Sequence, residues 1–321
     1  MASEETRAVV GAGLMGHGIA QVLSLRPGVV WLYDVAQPAL DRAVTRIGDG
    51  LAALVRHGLL EPAAAEAARA RVRSTTDLGQ AVESASFIVE AAPEDLTLKQ
   101  SLFSELERLA PAEAVLATNT SSILIADIVA DVRRGERVVG SHFFLPASIV
   151  PLVEVTRGPA TSDATMDQTV AIWRSCGKVP IRVEKDVIGM IANRLQAGLI
   201  REAIYLVSQG VATPADVDTA VRMSFGLRYL VSGPLEQRDL GGLDLHAQTS
   251  REVWPNLGPT EIARAYLLEM VARGDTGVKG GRGFFDWSGQ DPEEVRRSRN
   301  EALLHTVKAL GLWPTIGNSK S

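Results

Sequence analysis

The sequence predicts an α/β fold, a doubly wound and mostly parallel sheet followed by an all-α C-terminal domain. Two observations carry that reading. Short apolar runs recur through the first 184 residues, each followed by turn residues or an amphipathic stretch, as strands of a buried parallel sheet do. After about Lys185 the strand-like runs vanish and only helical spacing remains. A chain of 321 residues, 46% hydrophobic and 22% charged, is long enough for two cores on a prior of ~150 residues per domain. The predicted domains are 1–184 and 185–321.

Taken in order, the predicted strands are Arg7–Val10, Val29–Tyr33, Phe87–Glu90, Val115–Thr118, Val138–His142, Leu152–Thr156 and Val179–Val183. Between the second and third, the Ala-, Leu- and Arg-rich stretch from Pro38 to Arg73 reads as two helices broken near Gly58 and Pro62. Alternation of strand and helix favours an open sheet with helices on both faces. In the second half, Ile188 to Ser208, Pro214 to Met223, Pro234 to Val253 and Thr260 to Arg273 show helical spacing. A Gly-rich loop, Gly277 to Gly283, precedes a final charged helix reaching about Leu310.

Composition excludes several classes. With 33 Lys and Arg against 38 Asp and Glu the net charge is −5, and no basic run is present, so nucleic acid is not an expected partner. The single Cys176 excludes an intrachain disulfide and a Cys-cluster metal site, and no metal is expected. The acidic N-terminus does not read as a secretory signal, and no apolar run approaches the ~20 residues that span a bilayer. A cytoplasmic protein that does not engage membranes is the expectation.

The first strand passes directly into Gly11-Ala12-Gly13-Leu14-Met15-Gly16, which opens a helix through Ile19 and Val22. Three glycines at this spacing allow the tight turn, the approach of backbone N–H groups to a pyrophosphate, and close helix–strand packing, the Rossmann-type arrangement. Asp34 ends the second strand 23 residues after Gly11. A carboxylate there accepts from an adenosine ribose and repels a 2′-phosphate, and the following Val35 and Ala36 offer no cation. The cofactor expected is NAD rather than NADP.

A nicotinamide enzyme oxidising an alcohol needs a group to take the hydroxyl proton, and His is best poised near neutral pH. Of His17, His57, His142, His246 and His305, only His142 ends a predicted sheet strand, the edge where open α/β sheets place ligands. Glu154 lies between valines in the next strand. It either faces outward on an edge strand or meets His142, where it would fix the imidazole tautomer and stabilise the imidazolium. The small polar run Thr118-Asn119-Thr120-Ser121-Ser122 either caps the next helix or holds a substrate oxygen, with capping expected of Thr120 and Ser122. Asn193, among apolar neighbours on a helix, needs partners if buried.

These pieces together resemble the 3-hydroxyacyl-CoA dehydrogenase family, including its free-acid branch of L-gulonate 3-dehydrogenase, L-carnitine dehydrogenase and lambda-crystallin. The resemblance rests on the glycine loop, Glu90 to Lys99, Asn119-Thr120-Ser121-Ser122, Ser141-His142-Phe143-Phe144, Pro151 to Val155, Asn193-Arg194-Leu195, Gly233 to Glu236 and Gly280 to Phe285. It implies an NAD-binding domain, a helical domain that forms a homodimer, and interconversion of a 3-hydroxy and a 3-oxo group on an acyl-CoA or a small hydroxy acid. Carried over residue by residue, it makes His142 the base and Glu154 its partner, sets Ser121 and Asn193 on the substrate oxygen, and lines the cofactor with Glu94, Lys99 and Asn119. Three departures concern the substrate. Leu145 stands where the family often has Asn, Gly48–Leu60 lacks the lysines acyl-CoA members carry for CoA phosphates, and Gly226-Leu227-Arg228-Tyr229 resembles the free-acid branch, whose Arg is a candidate carboxylate clamp. Two other readings stand beside this one. A lysine-dependent β-hydroxyacid dehydrogenase would need a Lys where Gly189 lies, and a crystallin-like or sensor protein would keep the dinucleotide fold without the chemistry.

Overall fold

The computed structural model describes residues 5–313. Residues up to Ile191, together with those from Arg297 on, form one compact unit, and Ala192–Arg296 form a second.

The first unit runs β1 (Thr6–Val10), α1 (Gly16–Ser24), β2 (Val29–Tyr33), α2 (Gln37–Arg56), α3 (Pro62–Arg71), β3 (Val72–Thr75), α4 (Leu78–Val82), β4 (Phe87–Glu90), α5 (Leu96–Leu109), β5 (Val115–Thr118), α6 (Ile125–Ile128), β6 (Val138–Phe143), β7 (Leu152–Arg157), α7 (Asp163–Ser175) and β8 (Val179–Val183). The eight strands form one sheet in the order β3-β2-β1-β4-β5-β6-β7-β8. All neighbours are parallel except β6 and β7, which are antiparallel. Strand order reverses between β1 and β4, which opens the crevice where sheets of this kind take a dinucleotide.

The central strands are largely apolar up to their carboxyl ends because helices cover both faces. β4 and β5 are buried at every residue. One face packs Val9, Val89 and Phe143 with α1, α2 and Trp173 of α7, and Trp173 meets Phe87 and Phe143 edge-on. The other packs Val10, Ile88 and Leu116 with α4, α5 and α6. In α2 the buried residues are Leu40, Ala43, Ile47, Leu51 and Leu54, spaced three and four apart as an amphipathic helix requires. Side chains of Asp77, Asp95 and Ser162 accept from backbone N–H groups in the first turns of α4, α5 and α7 and fix where those helices begin.

The second unit is helical: α8 (Ala192–Ser208), α9 (Pro214–Met223), α10 (Phe225–Tyr229), α11 (Pro234–Gly241), α12 (Leu243–Val253) and α13 (Thr260–Ala272). α13 packs along α8. The last helix, α14 (Pro292–Ala309), crosses into the first unit, where Leu304 and Val307 bury against Leu54 and Ile149.

Four expectations change. Val72 and Arg73, read as the end of a helix, open the edge strand Val72–Thr75. Its half-exposed Val-Arg-Ser-Thr carries no apolar run, and pairing with β2 decides its state. The two units part after Ile191, where a division at 184 was expected, and the last helix is shared, its residues from Arg297 on belonging to the first unit. Pro234–Val253 is two helices parted at Gly242, whose φ of +88° suits glycine. The helix read from Ile188 begins at Ala192, because Gly189 and Met190 adopt positive φ, +77° and +46°.

Candidate active site

The glycine loop leaves β1 at the crevice. Gly11 has φ +106°, its N–H donates to Tyr33 O at 2.8 Å, and a Cβ on it would stand 2.6 Å from Ala91 O. Only glycine fits there. Gly16 is held tightly enough against the Gly11 carbonyl that a Cβ would collide with it. Gly13 is different: nothing lies within 4 Å of where its Cβ would be. Leu14 is exposed, Met15 half-buried, and α1 starts with no side-chain cap, so its first N–H groups suit an anion. Asp34, at the end of β2, accepts from Ala12 N at 2.9 Å through Oδ2 and from Ala36 N at 3.0 Å through Oδ1. The carboxylate thereby fixes both the loop and its own place. An open cradle at Gly13, a bare helix start and a fixed carboxylate fit the pyrophosphate and ribose of NAD.

Across the crevice, a buried ion pair braces the ends of β4 and β5. Glu90 and Lys99 are both almost fully buried, with Lys99 Nζ 2.6 Å from Glu90 Oε1. The other Glu90 oxygen accepts from Thr118 Oγ1 at 2.7 Å. Lys99 Nζ also lies 3.4 Å from Glu94 Oε2. Glu94 Oε1 in turn accepts from Thr120 Oγ1, Ser122 Oγ and the N–H groups of Ser121 and Ser122, at 2.6–3.0 Å. Partial burial works to raise the Glu94 pKa, but the Thr120 and Ser122 hydrogen bonds and the Lys99 charge outweigh it and bring it to about 2. Thr120 and Ser122 were expected to cap the next helix; α6 instead has Leu124 at its N-cap position and no side-chain cap, and the two hydroxyls serve Glu94. Sequence reasoning passed over Glu90. A carboxylate ending an otherwise apolar strand was the available signal, the same one that marked Glu154.

Asn119 N donates to Glu90 O at 2.8 Å, and its Oδ1 accepts from Phe143 N at 2.9 Å, which ties the end of β5 to the end of β6. Ser121 is exposed beside it.

His142 and Glu154 are directly opposite one another in the β6–β7 ladder. Paired residues of an antiparallel ladder share a face, so the register alone brings the two side chains together. His142 Nδ1 lies 2.9 Å from Glu154 Oε2, and the two residues are 5% and 0% exposed. Glu154 Oε1 accepts from Ile191 N at 2.9 Å, a donor delivered by the positive-φ turn at Gly189 and Met190. The Phe144 ring stands edge-on to the imidazole, centroids 4.7 Å apart. On the opposite face of β6, Ser141 Oγ accepts from Trp173 Nε1 at 2.7 Å and anchors the strand from behind. Glu154 is not on an edge strand, because β8 lies outside β7.

The remaining predicted residues belong to the second unit. Asn193 is half-buried in the first turn of α8, and Arg228 is exposed on α10. Among the described residues no group of three or more His, Cys, Asp or Glu is placed to hold a metal. No described helix is long and apolar enough to cross a membrane.

Comparison with known proteins gives the family of both units. The NAD binding domain of 3-hydroxyacyl-CoA dehydrogenase matches residues 6–187 and the C-terminal domain of the same enzyme matches residues 189–287. A 5-formyl-3-hydroxy-2-methylpyridine 4-carboxylate 5-dehydrogenase of Mesorhizobium japonicum is 32% identical over 94% of this chain and 97% of its own length. A probable 3-hydroxybutyryl-CoA dehydrogenase of Bacillus subtilis is 35% identical over 87% of this chain and 96% of its own. The crystal structure of a 5-formyl-3-hydroxy-2-methylpyridine 4-carboxylic acid 5-dehydrogenase, an NAD+-dependent dismutase, superposes with a TM-score of 0.87 at 31% identity, covering 96% of this chain and 99% of that one.

Proposed function

The chain belongs to the 3-hydroxyacyl-CoA dehydrogenase family and takes NAD, and from that premise we propose that it oxidises the 3-hydroxy group of a small free hydroxy acid, with His142 as the base. The buried His142–Glu154 pair at the carboxyl end of the sheet carries the reading. When bound, NAD supplies the acceptor for the hydride that leaves the carbinol carbon. With Nδ1–H committed to the Glu154 carboxylate, the basic ring nitrogen is Nε2, which takes the hydroxyl proton as the hydride departs. Glu154, buried and fixed by Ile191 N–H, stabilises the imidazolium so formed. Ser121 and Asn193 are proposed to donate to the substrate oxygen. Asp34, Glu94, Lys99 and Asn119 hold the walls of the cofactor crevice.

A free acid rather than a CoA thioester is favoured by α14. This helix lies beyond both matched family domains, which end at residue 287, yet it packs on the end of α2. There Glu301 pairs with Arg56 Nη2 at 3.0 Å and with His57 Nε2, so the two basic side chains of Gly48–Leu60 are already engaged. Arg228 is the proposed partner of the substrate carboxylate. The second unit has few buried apolar side chains and exposes Leu227, Leu230, Val231, Leu235, Leu240 and Leu245. An exposed apolar surface on that scale marks an interface, and a homodimer through the helical unit, in the cytoplasm, completes the reading.

The test is NADH formation compared across 3-hydroxybutyryl-CoA, free 3-hydroxy acids and an aromatic aldehyde carboxylate of the kind named for the Mesorhizobium relative. Free-acid turnover that collapses in His142→Ala with NAD affinity intact is expected. Unchanged turnover in that variant removes His142 from its role, and thioester turnover alone refutes the substrate class. Absence of NADH formation on the whole panel favours the non-catalytic reading. Sedimentation velocity gives the oligomer.

A further inference from the structure

Outside the catalytic groups, the Lys178 amine is buried with no carboxylate paired to it. Lys178 lies just before β8 and is 7% exposed; among the described residues it makes no ion pair. Its Nζ donates to Ala147 O at 2.7 Å and to Val150 O at 2.8 Å, and stands 5.8 Å from the Phe143 ring centroid. A lysine in such a place is costly, and an apolar side chain of similar volume would be expected to serve stability as well or better. What it gains is a grip on one particular loop.

That loop, residues 144–151, joins the strand of His142 to the strand of Glu154. It is folded on itself by Ile149 N and Val150 N, both donating to Pro146 O at 2.9 and 3.0 Å, and Pro151 O receives Val179 N at 2.9 Å. On its other side it touches the cofactor helix: a Cβ on Gly18 of α1 would lie 3.0 Å from Ala147 Cβ and 3.3 Å from Ser148 N. Lys178 and α1 therefore grip the loop from two sides, and the ends of the loop are the strands that carry the proton-transfer pair.

We propose that Lys178 is a positioning residue for the dehydrogenation: by holding Ala147 O and Val150 O, it sets the loop that aligns His142 with the crevice beside α1. This rests on the dehydrogenase reading. Freeing the loop hydrates the amine and favours its charged form, so the held state is the one with the lowered pKa. Burial lowers the Lys178 ammonium to about 7, with only the neighbouring Cys176 acting to raise it, so protonated and neutral forms exchange in the neutral range.

Two measurements on the full chain test this. In Lys178→Met, kcat is expected to fall ~10- to 100-fold, the cost of a small misplacement of reacting groups. NAD affinity should hold within about twofold, because the glycine loop is held by Tyr33 O and Asp34 instead. For a purely structural lysine, kcat and cofactor affinity would stay unchanged or fall together whatever the melting temperature does, and that result overturns the proposal. The second measurement uses the unaltered protein and needs no variant to fold. Hydrogen exchange at the Ile149 and Val150 amides, corrected for intrinsic pH dependence, should gain protection as pH rises above about 7, because opening that hydrates Lys178 takes up a proton; protection independent of pH overturns the proposal. A protein inactive on every hydroxy acid refutes the dehydrogenase reading through the first measurement while the second still reports on the grip.

Discussion

Glu154→Gln changes one atom in the proposed proton-transfer pair and keeps its volume. The carboxylate accepts from Ile191 N at 2.9 Å through one oxygen and from His142 Nδ1 at 2.9 Å through the other. A glutamine has one oxygen. Facing it to Ile191 turns the amide NH2 toward His142 and forces the tautomer with hydrogen on Nε2, which is no longer basic; facing it to His142 opposes two donors at Ile191. Either way one strong hydrogen bond goes, worth about 1.5–3 kcal/mol for a charged partner. The imidazolium also loses an anion that at ~4 Å and an effective dielectric of ~20 contributes up to about 4 kcal/mol. Part of that attraction already acts before proton transfer, so about 3–5 kcal/mol of barrier is expected, a kcat lower by ~10² to 10⁴. The assay is steady-state NADH formation with saturating acid, alongside NADH binding by fluorescence, which should not change. A kcat within about threefold of the unaltered enzyme, under about 1 kcal/mol, would refute the reasoning.

The glycine loop separates fold from binding. Gly13→Val should leave the melting temperature unchanged, since its Cβ meets nothing, while NAD affinity drops at least ~10-fold as the side chain fills the phosphate approach. Gly11→Ala, at φ +106° and 2.6 Å from Ala91 O, should instead lose roughly 2–4 kcal/mol of stability by thermal denaturation. Asp34→Ala should cut kcat/KM for NAD by ~10- to 100-fold, the worth of hydrogen bonds to a carboxylate, and relax the preference over NADP; measuring both cofactors decides it. Lys178 also shapes stability. Its pKa falls from 10.5 to about 7 on folding, so between those values the unfolded chain binds more protons, and stability should rise with pH by up to about 1.4 kcal/mol per unit. Denaturant titrations from pH 7 to 10 should show this rise, and Lys178→Met should lack it.

The sheet was legible because its strands are buried on both faces and so read as plain apolar runs; β3 was missed because, with an exposed edge, its Val-Arg-Ser-Thr needs no such run. The glycine loop and Asp34 were legible because backbone geometry demands those residues at that spacing. The meeting of His142 and Glu154 was open in the sequence, since nothing local sets the register of β6 on β7, and a shift by one residue would have turned Glu154 away. Thr120 and Ser122 misled because a hydroxyl before a helix is ordinarily a cap, and only the tertiary approach of Glu94 redirects them. Glu301 lies 244 residues from His57, and no periodicity joins positions that far apart.

The single antiparallel step in the sheet has a further meaning. Parallel neighbours must be joined by a crossover of a dozen or more residues, so the two members of a proton relay built on them would come from distant stretches of chain. Here both come from one hairpin, twelve positions apart. A single insertion inside either ladder would turn one member of the proposed pair away from the other, and the tip, held by Lys178 at Ala147 O and Val150 O, is constrained as well. Variation among descendants of this chain should therefore collect outside the hairpin and spare it as a unit.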